Sequence, residues 1–230
     1  MSDAEKITNV CKEAFRAPWR DPQRRLILAR AIVHRRQFEN WWKVELATHM
    51  WELADKYVDC YVFMESHDRA DVTLGCAKQD AGPVRLDPTR APCVPMELKS
   101  IATWWKSPLG GLCDSSKKCL EADMDDAWNG RRSSNPISVV ALMITHHPRK
   151  VPEGPKQKKA EDREQKAAKA YNQIRKAARQ LAKSSGRKLK LVLDEEIVLP
   201  NPGFDELTPL ARQMVWIVRS DPRKADRPQT

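Results

Sequence analysis

No run of apolar residues in this sequence approaches the roughly 20 needed to span a bilayer, and its opening residues, MSDAEKITNV, lack the apolar stretch of a secretory signal. The expectation is a cytoplasmic protein with no membrane partner. No CxxC pair occurs among the six cysteines, Cys11, Cys60, Cys76, Cys93, Cys113 and Cys119, which removes the commonest zinc and disulfide signatures. Cys113, Cys119, His146 and His147 could be assembled into a zinc site on paper, but the five-residue gap between the cysteines fits no common ligand spacing. Several cysteines sit inside apolar stretches, where a reduced thiol packs as a small hydrophobe. No internal repeat is present.

What the chain does have is positive charge. Its 41 Lys and Arg against 31 Asp and Glu give a net charge of +10, with a pI near 9.4. Such a balance favours a polyanionic partner through long-range attraction and counterion release, and nucleic acid is the obvious one. A hydrophobic content of 41% and eight Trp in 230 residues describe a folded protein that can bury a core in one domain. The 31% of charged residues and a mean hydropathy of −0.65 leave room for polar arms at the ends.

Residues 1–22 are polar and close on Pro18 and Pro22, so they read as an N-terminal arm that the prolines cut off from the next segment. Residues 23–56 carry apolar side chains at close to helical period, including Leu26, Ile27, Ile32, Val33, Phe38, Trp41, Trp42, Leu46, Met50 and Leu53, with a break expected near residues 34–37. Glu45 falls on the same stripe as Trp41, Trp42 and His49. A carboxylate aimed inward is costly unless it finds a partner. Residues 57–64 and 70–75 read as a hairpin, and residues 93–99 as a third strand with Pro95 near its start.

Further on, residues 115–128 read as a helix, residues 136–145 as a central strand with a near-continuous apolar run, and residues 160–183 as a basic helix after a lysine-rich linker. Two short strands come next, at 189–193 and 215–218, and the tail from 220 reads as disordered. This order calls for an α/β fold, a mixed sheet with helices on both faces. The expected organisation is a single domain over residues 23–219, with a core near 25–145 and a C-terminal extension at 159–219.

Three residues stand out chemically. Asp71 precedes an apolar strand, and Glu97 and Lys99, two apart on the third strand, project from one face. Hydrolysis of a phosphodiester needs a hard metal, and Mg²⁺ prefers one or two carboxylates plus water. The plainer alternative is a solvated strand face, with Val94, Met96, Leu98 and Ile101 serving the core. An exposed ion pair of that kind would contribute about 0–1 kcal/mol.

Taken with Glu45 on the preceding helix and the positive charge, Ala70-Asp71 followed by Glu97-Leu98-Lys99 resembles the PD-(D/E)XK, or restriction-endonuclease-like, nuclease superfamily. The resemblance covers about residues 25–145 and implies an αβββαβ core and a DNA endonuclease. It implies Asp71 and Glu97 as ligands of Mg²⁺, or of Mn²⁺ in its place, with the Leu98 carbonyl as a further ligand. Lys99 would orient the attacking water and stabilise charge developing on the phosphate, and Glu45 would match the extra helix carboxylate of many members. Ala70 stands where the family's name-giving proline would be, a position known to vary. A homodimer would supply the two cuts that a duplex needs. The competing function is a non-catalytic nucleic-acid-binding or assembly subunit on the same scaffold.

Overall fold

The first element is built by the segment expected to be an arm. Ile7, Val10, Cys11, Ala14 and Phe15 recur at helical spacing, and residues Asp3–Arg20 form α1 with these five side chains in the core. That corrects the expected polar arm at 1–22. Pro18 is accommodated in the last turn of α1, and Pro22 opens α2 (Pro22–Val33) at a position where its missing N–H was unneeded. Asp21 caps α2, accepting from the Gln23 N–H at 2.8 Å. The chain then breaks where expected, His34 closing α2 before α3 (Glu39–Tyr57) begins.

The computed structural model describes residues 3–34, 38–57, 60–64, 70–76, 85, 87, 93–102, 137–146, 171–173, 175–176, 180, 188–203 and 208–219. Its strands are β1 (Tyr61–Met64), β2 (Val72–Gly75), β3 (Cys93–Ala102), β4 (Ile137–His146), β5 (Lys188–Ile197) and β6 (Leu210–Arg219). They form one six-stranded sheet in the order β1-β2-β3-β4-β6-β5. β1, β2 and β3 pair antiparallel in turn, β3 and β4 pair parallel, and β6 lies antiparallel between β4 and β5. The fold is therefore mixed α/β. The expected helix at 115–128, the tail from 220 and most of the basic helix at 160–183 lie outside the described residues.

The sheet buries both faces. On the first, Val72, Leu74, Val94, Met96, Leu98, Val139, Ala141, Val215 and Ile217 share one apolar cluster with α1, α2 and α3. Phe15 meets Trp42 edge-on at 6.1 Å, and Trp19 meets Trp41 at 6.0 Å, which fixes α1 against α3. Gln213 of β6, buried in this layer, accepts from Trp19 Nε1 at 2.9 Å and donates to the Phe15 carbonyl at 3.0 Å, so its polar head is satisfied. The alternate residues Val140, Leu142, Ile144, Met214, Trp216 and Val218 are buried on the second face. There the helical residues 171–173, 175 and 176 approach the sheet, with Tyr171 lying 5.3 Å below the Arg212 guanidinium and Arg175 paired with Asp194.

Cys11, Cys60, Cys76 and Cys93 are free thiols. Burial pushes the Cys11 thiol up to about 12 and the Tyr171 hydroxyl to about 12. Both groups are neutral in the fold and ionise more readily in the unfolded chain, so unfolding in alkali releases protons. Stability should be unaffected by them below pH 9 and should fall as pH rises from about 9 towards about 12, a trend that urea denaturation across that range would read. Phe15→Ala should lower unfolding stability by about 3–5 kcal/mol; a change below about 1 kcal/mol would restore the arm reading of α1.

Candidate active site

Geometry at the candidate site begins with two strands that part. β2 pairs with β3 only from Val72 opposite Met96 to Gly75 opposite Cys93, whereas β3 runs on to Ala102 against β4. Beyond Met96, none of the described strands pairs with the side of β3 that β2 has left. Side-chain carboxylates take backbone N–H groups there. Asp71 Oδ2 accepts the Leu98 N–H at 2.7 Å, and Glu39 Oε2, from the start of α3, accepts the Ser100 N–H at 3.0 Å and the Ser100 hydroxyl at 3.2 Å. In an extended strand the N–H and C=O of one residue point to the same side, so the Leu98 carbonyl faces the same opening.

Asp71 directly precedes Val72 and Glu97 directly follows Met96, so the two carboxylates leave from neighbouring backbone positions. Glu97 and Lys99 are partly buried and stand in register with the buried Val140 and Leu142, on the face opposite Leu98. The structure thus places Asp71, Glu97, Leu98 and Lys99 in one neighbourhood at the mouth of the split.

The other oxygen of Asp71 is also taken. Lys43 Nζ lies 2.6 Å from Asp71 Oδ1, with each side chain only 12% exposed. Lys43 and Glu39 are four residues apart on α3, which brings both to the helix face that meets the split. Sequence reasoning misses them. Lys43 is adjacent to the apolar stripe and nothing local marks it, since its partner lies on a distant element. The available signal is indirect: a carboxylate at the entrance to a buried strand requires a cation.

Glu45 is not brought to Asp71. It stands about 200° round the helix from Lys43, and its Oε2 pairs with Arg24 Nε of α2 at 2.6 Å. The inward carboxylate has found its partner, and that partner is structural. His49 lies between Glu45 at 3.9 Å and Glu52 at 3.6 Å. Trp104, Trp105, residues 115–118 and the acidic residues 123–126 lie outside the described residues. A separate cleft of about 290 Å³, lined by Arg16, Arg25 and Glu195 among others, shares none of the residues that form the split.

Among the described residues no group of three or more His, Cys, Asp or Glu comes together in a way that could hold a metal. Asp71 and Glu97 are two, which is within what Mg²⁺ uses when waters complete its shell. Their donors are hard oxygens, and Asp71 Oδ1 already seats a cation, Lys43. The donor chemistry suits Mg²⁺ only if Lys43 yields that oxygen. Comparison of the chain with protein families, with curated proteins and with solved structures finds no match.

Removing one member of a buried ion pair strands the other. Lys43→Met should therefore destabilise the fold by about 3 kcal/mol, and adding Asp71→Asn should recover part of that loss, because Asn keeps an acceptor for the Leu98 N–H. Thermal or urea unfolding of the two single variants and the double variant measures the coupling. Strict additivity would mean that the pair carries no energy.

Proposed function

We propose that this protein is a Mg²⁺-dependent nuclease that hydrolyses phosphodiester bonds, with DNA as its substrate and an endonucleolytic cut. One observation carries the reading: at the split between β2 and β3, Asp71 is anchored on the Leu98 N–H beside Glu97, and Lys99 shares the Glu97 face. The order α3, hairpin, β3, parallel β4 supports a restriction-endonuclease-like core. Glu45 drops out of the proposed site because Arg24 holds it.

In this reading Asp71, Glu97 and the Leu98 carbonyl would hold Mg²⁺, or Mn²⁺ in its place, which would supply charge neutralisation on the phosphate and a more acidic water. Lys99 does the rest of the local work. Its ammonium, on the same face as Glu97, orients the attacking water and stabilises negative charge as it builds on the phosphate. The Leu98 N–H fixes the Asp71 carboxylate in one orientation, so the acidic group is organised before substrate arrives. The net charge of +10 draws the polyanion towards the chain, and a homodimer would place two such sites on a duplex.

A second reading is favoured by the Lys43 to Asp71 contact at 2.6 Å. If the lysine stays on that oxygen, the scaffold binds nucleic acid without cutting it. Cleavage of plasmid and single-stranded DNA with Mg²⁺ or Mn²⁺ separates the two. The nuclease reading expects cutting that EDTA stops and that Lys99→Ala slows on the order of a hundredfold or more. Nucleic-acid binding with no metal-dependent cutting by the folded wild-type chain overturns it in favour of the binding subunit.

A further inference from the structure

Asp71, Glu97 and Glu39 bring three negative charges to the split, and Lys43 and Lys99 bring two positive ones. A divalent cation placed on Asp71 Oδ1 would meet the Lys43 ammonium on the same oxygen. Two cations on one carboxylate oxygen repel strongly in a partly buried setting, where water screens them poorly. One of them has to leave. Lys43 can, because its charge rides on a flexible four-carbon stem.

A destination is at hand. Glu39 lies four residues earlier on α3, within reach across one helical turn. Its bonds to Ser100 both use Oε2, which leaves Oε1 to accept an ammonium. Resting on the metal-site reading above, we propose that Lys43 is an exchangeable counter-ion: it neutralises Asp71 in the metal-free protein and passes to Glu39 when a divalent cation binds.

The exchange has two consequences. The metal-free site keeps the buried Asp71 carboxylate compensated and in place. The cation binds against a built-in competitor, so its affinity is lower than the carboxylates alone would give. Lys43 is in this sense a positioning and regulatory residue and takes no part in the chemistry.

The test uses the full chain without nucleic acid. Free Mn²⁺ is followed by electron paramagnetic resonance during titration of the wild type, Lys43→Met, Lys43→Arg and Asp71→Asn. Lys43→Met should bind Mn²⁺ on the order of tenfold more tightly than wild type, Lys43→Arg should bind no more tightly, and Asp71→Asn should lose binding. A second readout needs no variant, which keeps the proposal open to test if Lys43→Met does not fold. In the wild type, acetylation of Lys43 followed by mass spectrometry should be slow without metal, given its 12% exposure, and should rise several-fold with Mg²⁺.

Equal Mn²⁺ affinity in wild type and Lys43→Met, or Lys43 labelling that bound Mg²⁺ leaves unchanged, overturns the exchange while the metal site stands. Absence of Mn²⁺ binding in both wild type and Lys43→Met overturns the exchange and the metal site together.

Discussion

The parting of β2 from β3 at Asp71 is the constraint on which the site depends. A sheet that stayed paired would spend the Leu98 and Ser100 N–H groups on a neighbouring strand. Here they are left for side chains, and the two acceptors recruited are the carboxylates of Asp71 and Glu39. Buried backbone donors are seldom left unmade, so the split calls for acceptors, and here two carboxylates supply them. Each carboxylate so drawn in then requires compensation. That requirement brings Lys43 to Asp71, and the site acquires its mixture of charges as a result of backbone accounting.

Holding α3 at the correct height is the task of the helical layer. Phe15 and Trp19 of α1 clamp Trp42 and Trp41 of α3, and Gln213 ties the same stretch of α1 to β6. Trp42 is fully buried and directly precedes Lys43. The aromatic contact that positions one face of α3 therefore also sets the direction of the lysine beside it. Arg24 performs the corresponding service for Glu45, fixing the opposite side of α3 to α2. Core packing and site geometry are in this respect one problem, solved by a helix whose successive residues face different layers.

Much of this is legible in the sequence where the signal is local. The break after His34, the hairpin, the alternation of Glu97 and Lys99 with buried Leu98, and the apolar run of β4 all follow from periodicity and turn chemistry. The helix α1 is obscured because Pro18 and Pro22 outweigh the stripe of Ile7, Val10, Cys11, Ala14 and Phe15; Pro22 costs little in the first turn of α2, and Pro18 falls in the last turn of α1, past the buried stripe. Insertion of β6 between β4 and β5 carries no local mark, since antiparallel partners are chosen by packing over the whole sheet. Glu45 reads correctly as a carboxylate that requires a partner, but the sequence does not say that the partner is Arg24 and not a metal. Lys43 is beyond reach for the same reason, its partner being set by how α3 lies across the strands.

The Lys43 to Asp71 contact bears on which function the scaffold can support. A lysine held permanently on a catalytic carboxylate would make the Asp71, Glu97 and Lys99 set a structural cluster. Glu39 is a second carboxylate on the same helix face, one turn from Lys43, and it fastens to the Ser100 N–H of β3. In the proposed exchange Glu39 is the second partner of Lys43, and a bias between the two carboxylates chooses the one it rests on. A divalent cation that prefers Asp71 provides such a bias. In that proposal the arrangement that protects the buried Asp71 carboxylate in the metal-free protein is also the one that admits the metal.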